Sequence, residues 1–210
     1  MTAFYRTLHI LLGWILRIVF NVKVIGRENE PKKSDGAFII CANHISATDP
    51  VVIGISLRHL QPNFMAKSQL FKNKLFSWLF RNLGCFPVNR DGNDVGALRT
   101  TLRIVKDGKC LGIFPQGTRH PGKEPRDTKV RGGLGMICGH TGAPVLPIYI
   151  HTKDNTAKLF RRRTVIIGKP ITPEEIAYVP RQAGEYDRIS NLVFDRICQL
   201  GDDYKQGKIQ

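Results

Sequence analysis

Two residues of the stretch FIICANHISATDP, His44 and Asp49, have side chains that could act together in acid–base chemistry. They follow a short apolar run, residues 38–41, which is typical of a strand buried on both faces of a sheet. Five positions on a helix turn the chain by about 500°, so the two side chains can meet only through a turn. A carboxylate that met the imidazole would orient it and stabilise its protonated form, as a general base for a hydroxyl requires.

A purely structural interpretation of the pair stays open at this stage. Asp49 precedes Pro50 and the apolar segment 51–60, so Asp49 could be the N-cap of a helix that has proline in its first turn. His44 would then be an unrelated loop residue. The spacing alone does not separate the two interpretations.

Further polar residues follow two other predicted strands. The segment FPVNR places Arg90 directly after one strand, and GIFPQGTRH places Gly117, Thr118 and Arg119 directly after another. If the strands are parallel, these residues meet at the sheet edge where α/β proteins bind ligands. An arginine fork matches phosphate oxygens, a threonine hydroxyl can donate to them, and glycine lets the backbone approach closely.

The hydrophobic pattern alternates predicted strands and helices along the whole chain. The predicted strands are residues 22–26, 37–42, 63–66, 84–88, 109–114, 144–150 and 163–168. The predicted helices are residues 4–20, 50–60, 69–83, 94–107, 131–141, 173–178 and 186–203. Such alternation favours an α/β fold with a mixed, largely parallel sheet flanked by helices. Thr172 and Glu175 form a predicted capping box around Pro173, which marks one helix start.

Composition favours a single compact unit. The 210 residues are 42% hydrophobic, and no linker-like segment or fixed-period repeat divides them. We predict an N-terminal helix over residues 1–21 and one domain over residues 22–210, with the motif-bearing core at 38–150. The five cysteines are scattered without CxxC spacing, which indicates reduced, buried thiols and gives no reason to expect a metal or another cofactor.

A formal net charge of +15 predicts an anionic partner. Nucleic acid, an anionic membrane surface, a phosphorylated metabolite and an acidic carrier protein all fit that charge. A solvated basic surface without a specific partner is the alternative.

The N-terminal segment FYRTLHILLGWILRIVF favours the membrane among these partners. Ten residues separate Arg6 from Arg17, and as a helix they would be about 15 Å long, half of a hydrocarbon core. We therefore predict a helix that lies in the membrane interface, with Trp14 among its anchors, and does not span the bilayer. Residues 67–84 have the same basic, aromatic and amphipathic character. Packing against the core is the alternative for both segments.

Four blocks of the chain resemble the motifs of the glycerolipid acyltransferases. NHISATD resembles their NHx4D motif, FPVNR their second block, FPQGTR their FPEGTR block and VLPI their fourth, in family order over residues 38–150. The resemblance implies an acyltransferase fold and transfer of a fatty acyl group from acyl-CoA or acyl carrier protein to a lysophospholipid hydroxyl. The implied reaction converts 1-acylglycerol-3-phosphate to phosphatidic acid, directly and without a serine or cysteine nucleophile. The implied location is peripheral, on the cytoplasmic face of the cell membrane.

The resemblance also implies roles for individual residues. By position, His44 would be the general base and Asp49 its orienting partner. The implied substrate-binding residues are Phe86, Arg90, Gln116, Gly117, Thr118, Arg119 and Pro147. Asn43 and Lys67 are further candidates, with a structural or surface role as the alternative. Gln116 replaces the usual glutamate of its block, which leaves a lysolipid with another headgroup, or an amino-acid lipid, open as the acceptor.

Two other classes of protein explain less of the sequence. A peripheral membrane-binding protein without activity accounts for the charge and the N-terminus, but not for four ordered blocks. A nucleic-acid-binding module accounts for the charge alone, so we predict no nucleic-acid partner. The segment GGLGMICG is only superficially a dinucleotide loop, because Cys138 occupies its third glycine position.

Overall fold

The structure is a computed structural model that describes residues 1–88 and 95–209. Its helices are α1 (Ala3–Val19), α2 (Asp49–Ser56), α3 (Lys74–Asn82), α4 (Val95–Lys106), α5 (Gly133–Thr141), α6 (Pro173–Ile176) and α7 (Glu185–Lys205). Its strands are β1 (Val22–Ile25), β2 (Ile39–Ala42), β3 (Pro62–Lys67), β4 (Phe86–Val88), β5 (Cys110–Ile113), β6 (Val145–His151) and β7 (Arg163–Ile167). The predicted α/β alternation is confirmed.

The strands of the described residues form one seven-stranded sheet in the order β1-β7-β6-β2-β5-β3-β4. Strands β6, β2, β5, β3 and β4 are mutually parallel. Strand β7 is antiparallel to β6 and parallel to β1. The carboxyl ends of the five parallel strands therefore share one edge with the amino end of β7, and ligands of open α/β sheets bind at such an edge.

Both faces of the sheet are covered, as strand β2 shows. Ile39 and Cys41 belong to one hydrophobic cluster, which contains side chains from α4, α5, α6 and α7. Ile40 and Ala42 belong to a second cluster, which contains side chains from α1 and α2. Because alternate side chains of a strand point to opposite faces, α1 and α2 lie on one face and α4 to α7 on the other.

Two predicted helices are shorter than the hydrophobic pattern indicated, and in each case a side chain explains the boundary. The predicted helix 69–83 is divided into a short 3-10 turn and α3, because the Asn73 side chain accepts from the backbone N–H groups of Leu75 and Phe76. Helix α2 ends at Ser56 because the carboxylate of Glu30 accepts the next free amides, those of Arg58 and His59. The predicted capping box at Thr172 and Glu175 is confirmed.

Helices α1 and α3 present large apolar side chains to solvent. On α1 these are Ile10, Leu11, Leu12, Trp14, Ile15 and Ile18, and on α3 they are Leu75, Phe76 and Trp78. The two helices meet where the Phe4 ring lies edge-on to Trp78, with 5.0 Å between centroids. Within the described ranges, no helix combines the length and hydropathy that crossing a bilayer would require. Core packing thus leaves these apolar side chains uncovered.

Candidate functional site

His44 and Asp49 meet just beyond the carboxyl end of β2. The Nδ1 atom of His44 lies 2.8 Å from Oδ2 of Asp49. Both residues are buried, and Asp49 has no solvent-exposed surface. The intervening turn brings the two side chains together, as the spacing required.

The Asp49 carboxylate is fixed by backbone donors of the same turn. Its Oδ2 also accepts the N–H groups of Ile45 and Ser46, each at 2.7 Å. The predicted N-cap role is wrong: Thr48 is the N-cap, and Asp49 is the first residue of α2, with its side chain turned back to the loop. A carboxylate in the first turn of a helix interacts favourably with the positive end of the helix dipole.

The imidazole of His44 is held in one plane by aromatic rings. It stacks on Phe114, with 3.9 Å between centroids and 12° between planes. Phe114 in turn stacks on Phe64 at 5.5 Å. Because Nδ1 faces Asp49 and one ring face is covered, Nε2 is the ring nitrogen that remains available to a ligand.

Gln116 contacts the turn that joins His44 to Asp49. Its Oε1 accepts the backbone N–H of His44 at 2.7 Å, and its Nε2 donates to the hydroxyl of Thr128 at 2.7 Å. The Thr128 hydroxyl donates in turn to the carbonyl of Pro125 at 2.6 Å. With 3% of its surface exposed, Gln116 lies inside the wall of the site.

The loop after β5 lies exposed beside His44. Gly117, Thr118 and Arg119 are solvent-exposed, and Gly117 has a positive φ of 70° that favours glycine. The next residue, His120, donates its backbone N–H to the carbonyl of His44 at 2.9 Å. The backbone that carries Thr118 and Arg119, the residues predicted to bind phosphate, is therefore close to the His44 turn. Arg90 lies outside the described residues.

Other predicted site residues lie elsewhere. The Asn43 amide joins β2 to β6 through two hydrogen bonds with the backbone of Ile150, at 2.7 and 3.1 Å. Phe86 is buried in the cluster on the α7 face of the sheet, opposite to His44. Pro147 also lies on that face, where it packs beside Gly168. Lys67 is exposed at the end of β3.

Sequence reasoning missed Arg163, which stands behind the His44–Asp49 pair. Its guanidinium donates to the Thr48 hydroxyl at 2.6 Å and lies over the ring of Phe20, 4.8 Å from the centroid. Only 2% of its surface is exposed. Burial lowers the pKa of Arg163, and the negative charge of Asp49 opposes that lowering. The alternating pattern of β7 could have revealed the burial of Arg163. Arg163 and Val165 point to the same face of the sheet, and Val165 is buried there.

The cysteines are not activated as nucleophiles. Burial raises the pKa of Cys41 well above its ordinary value and raises the pKa of Cys85 to about 11. A thiol that stays protonated at neutral pH is a poor nucleophile. In the part of the chain that the structure describes, no three His, Cys, Asp or Glu side chains gather as a metal site would require.

The fold and the site together define an α/β protein with a buried histidine–aspartate pair at the carboxyl edge of its parallel strands. The profile of the Acyltransferase family matches residues 21–151. The chain belongs to this acyltransferase family, so the resemblance seen in the four blocks is confirmed.

Individual relatives agree with this assignment. A 1-acyl-sn-glycerol-3-phosphate acyltransferase of Bacillus subtilis is 30% identical over 168 residues, which cover 79% of this chain and 81% of that protein. A protein of the same name from Streptococcus pneumoniae is 27% identical over 97% of this chain and 74% of its own length. The crystal structure of the 1-acyl-sn-glycerophosphate (LPA) acyltransferase PlsC from Thermotoga maritima matches with a TM-score of 0.65 and 27% identity. That match covers 94% of this chain and 78% of the other.

Proposed function

We propose that this acyltransferase moves a fatty acyl group from a thioester donor to the free hydroxyl of 1-acylglycerol-3-phosphate and so makes phosphatidic acid. The observation that carries the proposal is the 2.8 Å contact between His44 and Asp49 beside the exposed loop of Arg119. The relatives named above, which are 1-acylglycerol-3-phosphate acyltransferases, support the choice of acceptor. Acyl-CoA and acyl carrier protein both present the thioester that the reaction needs.

In the proposed mechanism His44 is the general base. Its Nε2 takes the proton of the acceptor hydroxyl while the oxygen attacks the thioester carbonyl carbon, and Asp49 stabilises the imidazolium that forms. Collapse of the tetrahedral intermediate breaks the carbon–sulfur bond. The imidazolium then returns the proton to the leaving thiolate, so the products are an ester and a free thiol. No protein nucleophile takes part.

Phosphate recognition is assigned to the loop after β5 and to the segment after β4. Arg119 offers a planar fork for two phosphate oxygens, and Thr118 adds a hydroxyl donor. Arg90 is proposed as the second cation on the strength of the motif alone. A phosphate held here would place the glycerol hydroxyl toward the His44 turn, since His120 connects that loop to His44.

We place the protein on the cytoplasmic face of the cell membrane, attached peripherally. The exposed apolar side chains of α1 and α3, with the basic residues Arg6, Lys72 and Lys74 nearby, support this placement. Residues 22–210 are proposed to form one acyltransferase domain, with α1 as its membrane-associated helix. The lysophospholipid acceptor would reach the site from the same membrane.

The proposal is tested with His44→Ala and Asp49→Asn in purified protein. General-base catalysis contributes typically about 10²–10⁴ in rate, so we expect His44→Ala to lower kcat by at least about a hundredfold. Asp49→Asn should cost a similar amount or less. Circular dichroism and thermal unfolding check that each variant is folded. A folded His44→Ala protein with wild-type turnover would refute the mechanism.

The same assay identifies which donor and which acceptor the protein uses. Wild-type protein is offered acyl-CoA and acyl carrier protein as donors, each with a panel of lysophospholipids. We expect phosphatidic acid as the main product. Preferential acylation of a lysolipid without a phosphomonoester would overturn the choice of acceptor and leave the acyl-transfer chemistry in place.

A further inference from the structure

The loop between β6 and β7, residues 152–162, carries two large apolar side chains at its tip. Leu159 is 59% exposed and Phe160 is 68% exposed. Phe160 has a positive φ of 60°, which is uncommon for a bulky residue. Two hydrogen bonds hold it there: its N–H donates to the carbonyl of Val19 at 3.0 Å, and its carbonyl accepts from the Asn21 side chain at 3.1 Å. The tip is thus fixed to the end of α1, next to the apolar surface described above.

A cavity of about 530 Å³ lies at the base of the same loop. It is lined by His151, Thr152, Lys153, Asp154, Thr156, Arg161, Arg162, Thr164 and Tyr204. Three of these side chains are cations, and the one carboxylate, Asp154, lies 3.6 Å from Arg161. The cavity therefore has an excess of positive charge, carried by residues that flank the apolar tip.

The base of the cavity is held in place and has unused polar atoms. Asn155 accepts the N–H of Gly122 at 2.9 Å and donates to Glu124 at 2.9 Å, which fixes the loop. The buried hydroxyl of Thr152 and Nδ1 of His151 have no hydrogen-bond partner in the described part of the chain. Burial, reinforced by the charge of Lys205 and opposed by that of Glu124, lowers the pKa of His151, so its ring is neutral near pH 7.

We propose that this cavity binds the phosphate of an anionic membrane lipid whose acyl chains lie against Leu159 and Phe160. The proposal rests on the membrane attachment in the proposed function. Arginine forks suit phosphate oxygens, and a membrane lipid joins such a phosphate to apolar chains in one molecule. A soluble phosphate would satisfy the cations of the cavity but would leave the apolar tip uncovered.

The cavity is separate from the acyl-transfer site. His151 packs edge-on against Tyr204 of α7, with 5.0 Å between ring centroids, so it lies on the α7 face of the sheet. His44 stacks on Phe114 on the opposite face, which α1 and α2 cover. A lipid held in the cavity would anchor the protein and would not be the acceptor in reaction.

The test is co-sedimentation of the full-length protein with vesicles, without turnover. Vesicles of phosphatidylcholine alone are compared with vesicles that also contain about one fifth phosphatidate. The double variant Arg161→Gln, Arg162→Gln is compared with Arg99→Gln, Arg103→Gln, which removes the same charge from exposed positions on α4. A juxtamembrane arginine contributes about fivefold in binding, so we expect the first variant to lose at least about tenfold on the phosphatidate vesicles. The control should lose less than threefold.

The apolar tip is tested by Phe160→Asn, because asparagine tolerates a positive φ and removes the aromatic ring. We expect it to weaken binding to both kinds of vesicle by a similar factor. Leu159→Ser is the second variant should Phe160→Asn unfold. Full binding by both folded variants would overturn the proposal.

Two further outcomes are decisive, and a control follows them. Equal losses in the two arginine double variants would mean that only net charge matters, and would overturn the proposal. Unchanged vesicle binding with lost affinity for coenzyme A or inorganic phosphate would mean a site for a soluble phosphate, which also overturns it. The His44→Ala protein should bind vesicles as the wild type does, so a failure of the acyl-transfer proposal is seen separately, in the activity assay.

Discussion

Gln116 departs from the family motif, but its side chain still holds the His44 turn in place. The carbonyl oxygen of the Gln116 amide accepts the His44 N–H, and a glutamate carboxylate could accept the same bond. The amide nitrogen donates to Thr128, whose hydroxyl proton could instead turn toward a carboxylate. The geometry thus explains why either residue can hold the turn.

We expect Gln116→Glu to keep or raise activity, and Gln116→Leu to reduce kcat by about tenfold or more. Leucine fills the space but leaves the buried N–H of His44 unpaired, which costs about 1–3 kcal/mol. Steady-state kinetics and thermal unfolding of both variants check this expectation. A collapse of activity in Gln116→Glu would instead indicate that this position contacts an acceptor which a carboxylate repels.

Substitution of Arg119 tests the proposed phosphate recognition separately from the proposed catalysis. A charge-assisted hydrogen bond contributes about 1.5–3 kcal/mol, so Arg119→Ala should raise KM for the phosphorylated acceptor by about ten- to a hundredfold. Arg119→Lys should restore only part of this, because an ammonium group cannot form the planar fork. Kinetics at varied acceptor concentration are the measurement. Equal effects on an acceptor without phosphate would count against the role.

At the scale of elements, the start of α7 depends on a single carboxylate. Glu185 accepts two hydrogen bonds from Arg188 and one from the backbone N–H of Val179, all between 2.7 and 2.9 Å. The Arg188 interaction first, and then the Val179 bond, lower the pKa of Glu185 from its ordinary value of 4.5 to about 2. Helix α7 covers one face of the sheet together with α4, α5 and α6, so this cluster supports the fold and not the chemistry.

The lowered pKa predicts how stability depends on pH. As the pH falls, Glu185 becomes protonated in the unfolded chain before it does so in the folded protein. The stabilisation by ionised Glu185 is therefore complete above about pH 4.5 and is lost as the pH falls through about 2. We expect Glu185→Gln to lower the melting temperature at pH 6, with the difference from the wild type shrinking steadily below pH 4.5. Calorimetry across this range is the check. A difference that does not vary with pH would contradict it.

At the scale of the whole molecule, the apolar side chains of α1 and α3 form an uncovered surface on a strongly basic protein. Trp14 is 60% exposed, although its helix is firmly docked. The Tyr5 hydroxyl donates to the carbonyl of Gly54, and Phe20 is buried beside Arg163. Because of these contacts, deleting the whole helix would remove part of the core, and single substitutions on its exposed face are the better probe.

We expect Trp14→Ser and Ile18→Ser each to weaken binding to anionic vesicles by about five- to tenfold, since burial of a large apolar side chain contributes about 1.5–3 kcal/mol when complete. High salt should weaken wild-type binding further without abolishing it, because charge attraction is screened and apolar burial is not. Val179→Ser, another exposed apolar position far along the chain, is the matched control. Co-sedimentation unaffected by Trp14→Ser would place the attachment elsewhere, with α3 as the next candidate.

The sequence by itself determined the order and type of the elements, because hydrophobic period, capping boxes and turn residues act over a few neighbouring positions. It also indicated that His44 and Asp49 could meet, since only five positions separate them. The predicted helix boundaries were wrong where a distant side chain ends the helix, as Glu30 does at α2.

Only the tertiary structure decided what surrounds that pair. The bond from His44 to Gln116 joins residues 72 positions apart, and the bond from Arg163 to Thr48 joins residues 115 apart. Such contacts depend on which strands become neighbours and on the reversed direction of β7, and local patterns do not specify either. For the same reason, the sequence shows Arg163 only as the last of three consecutive arginines, whereas the fold buries it behind Asp49.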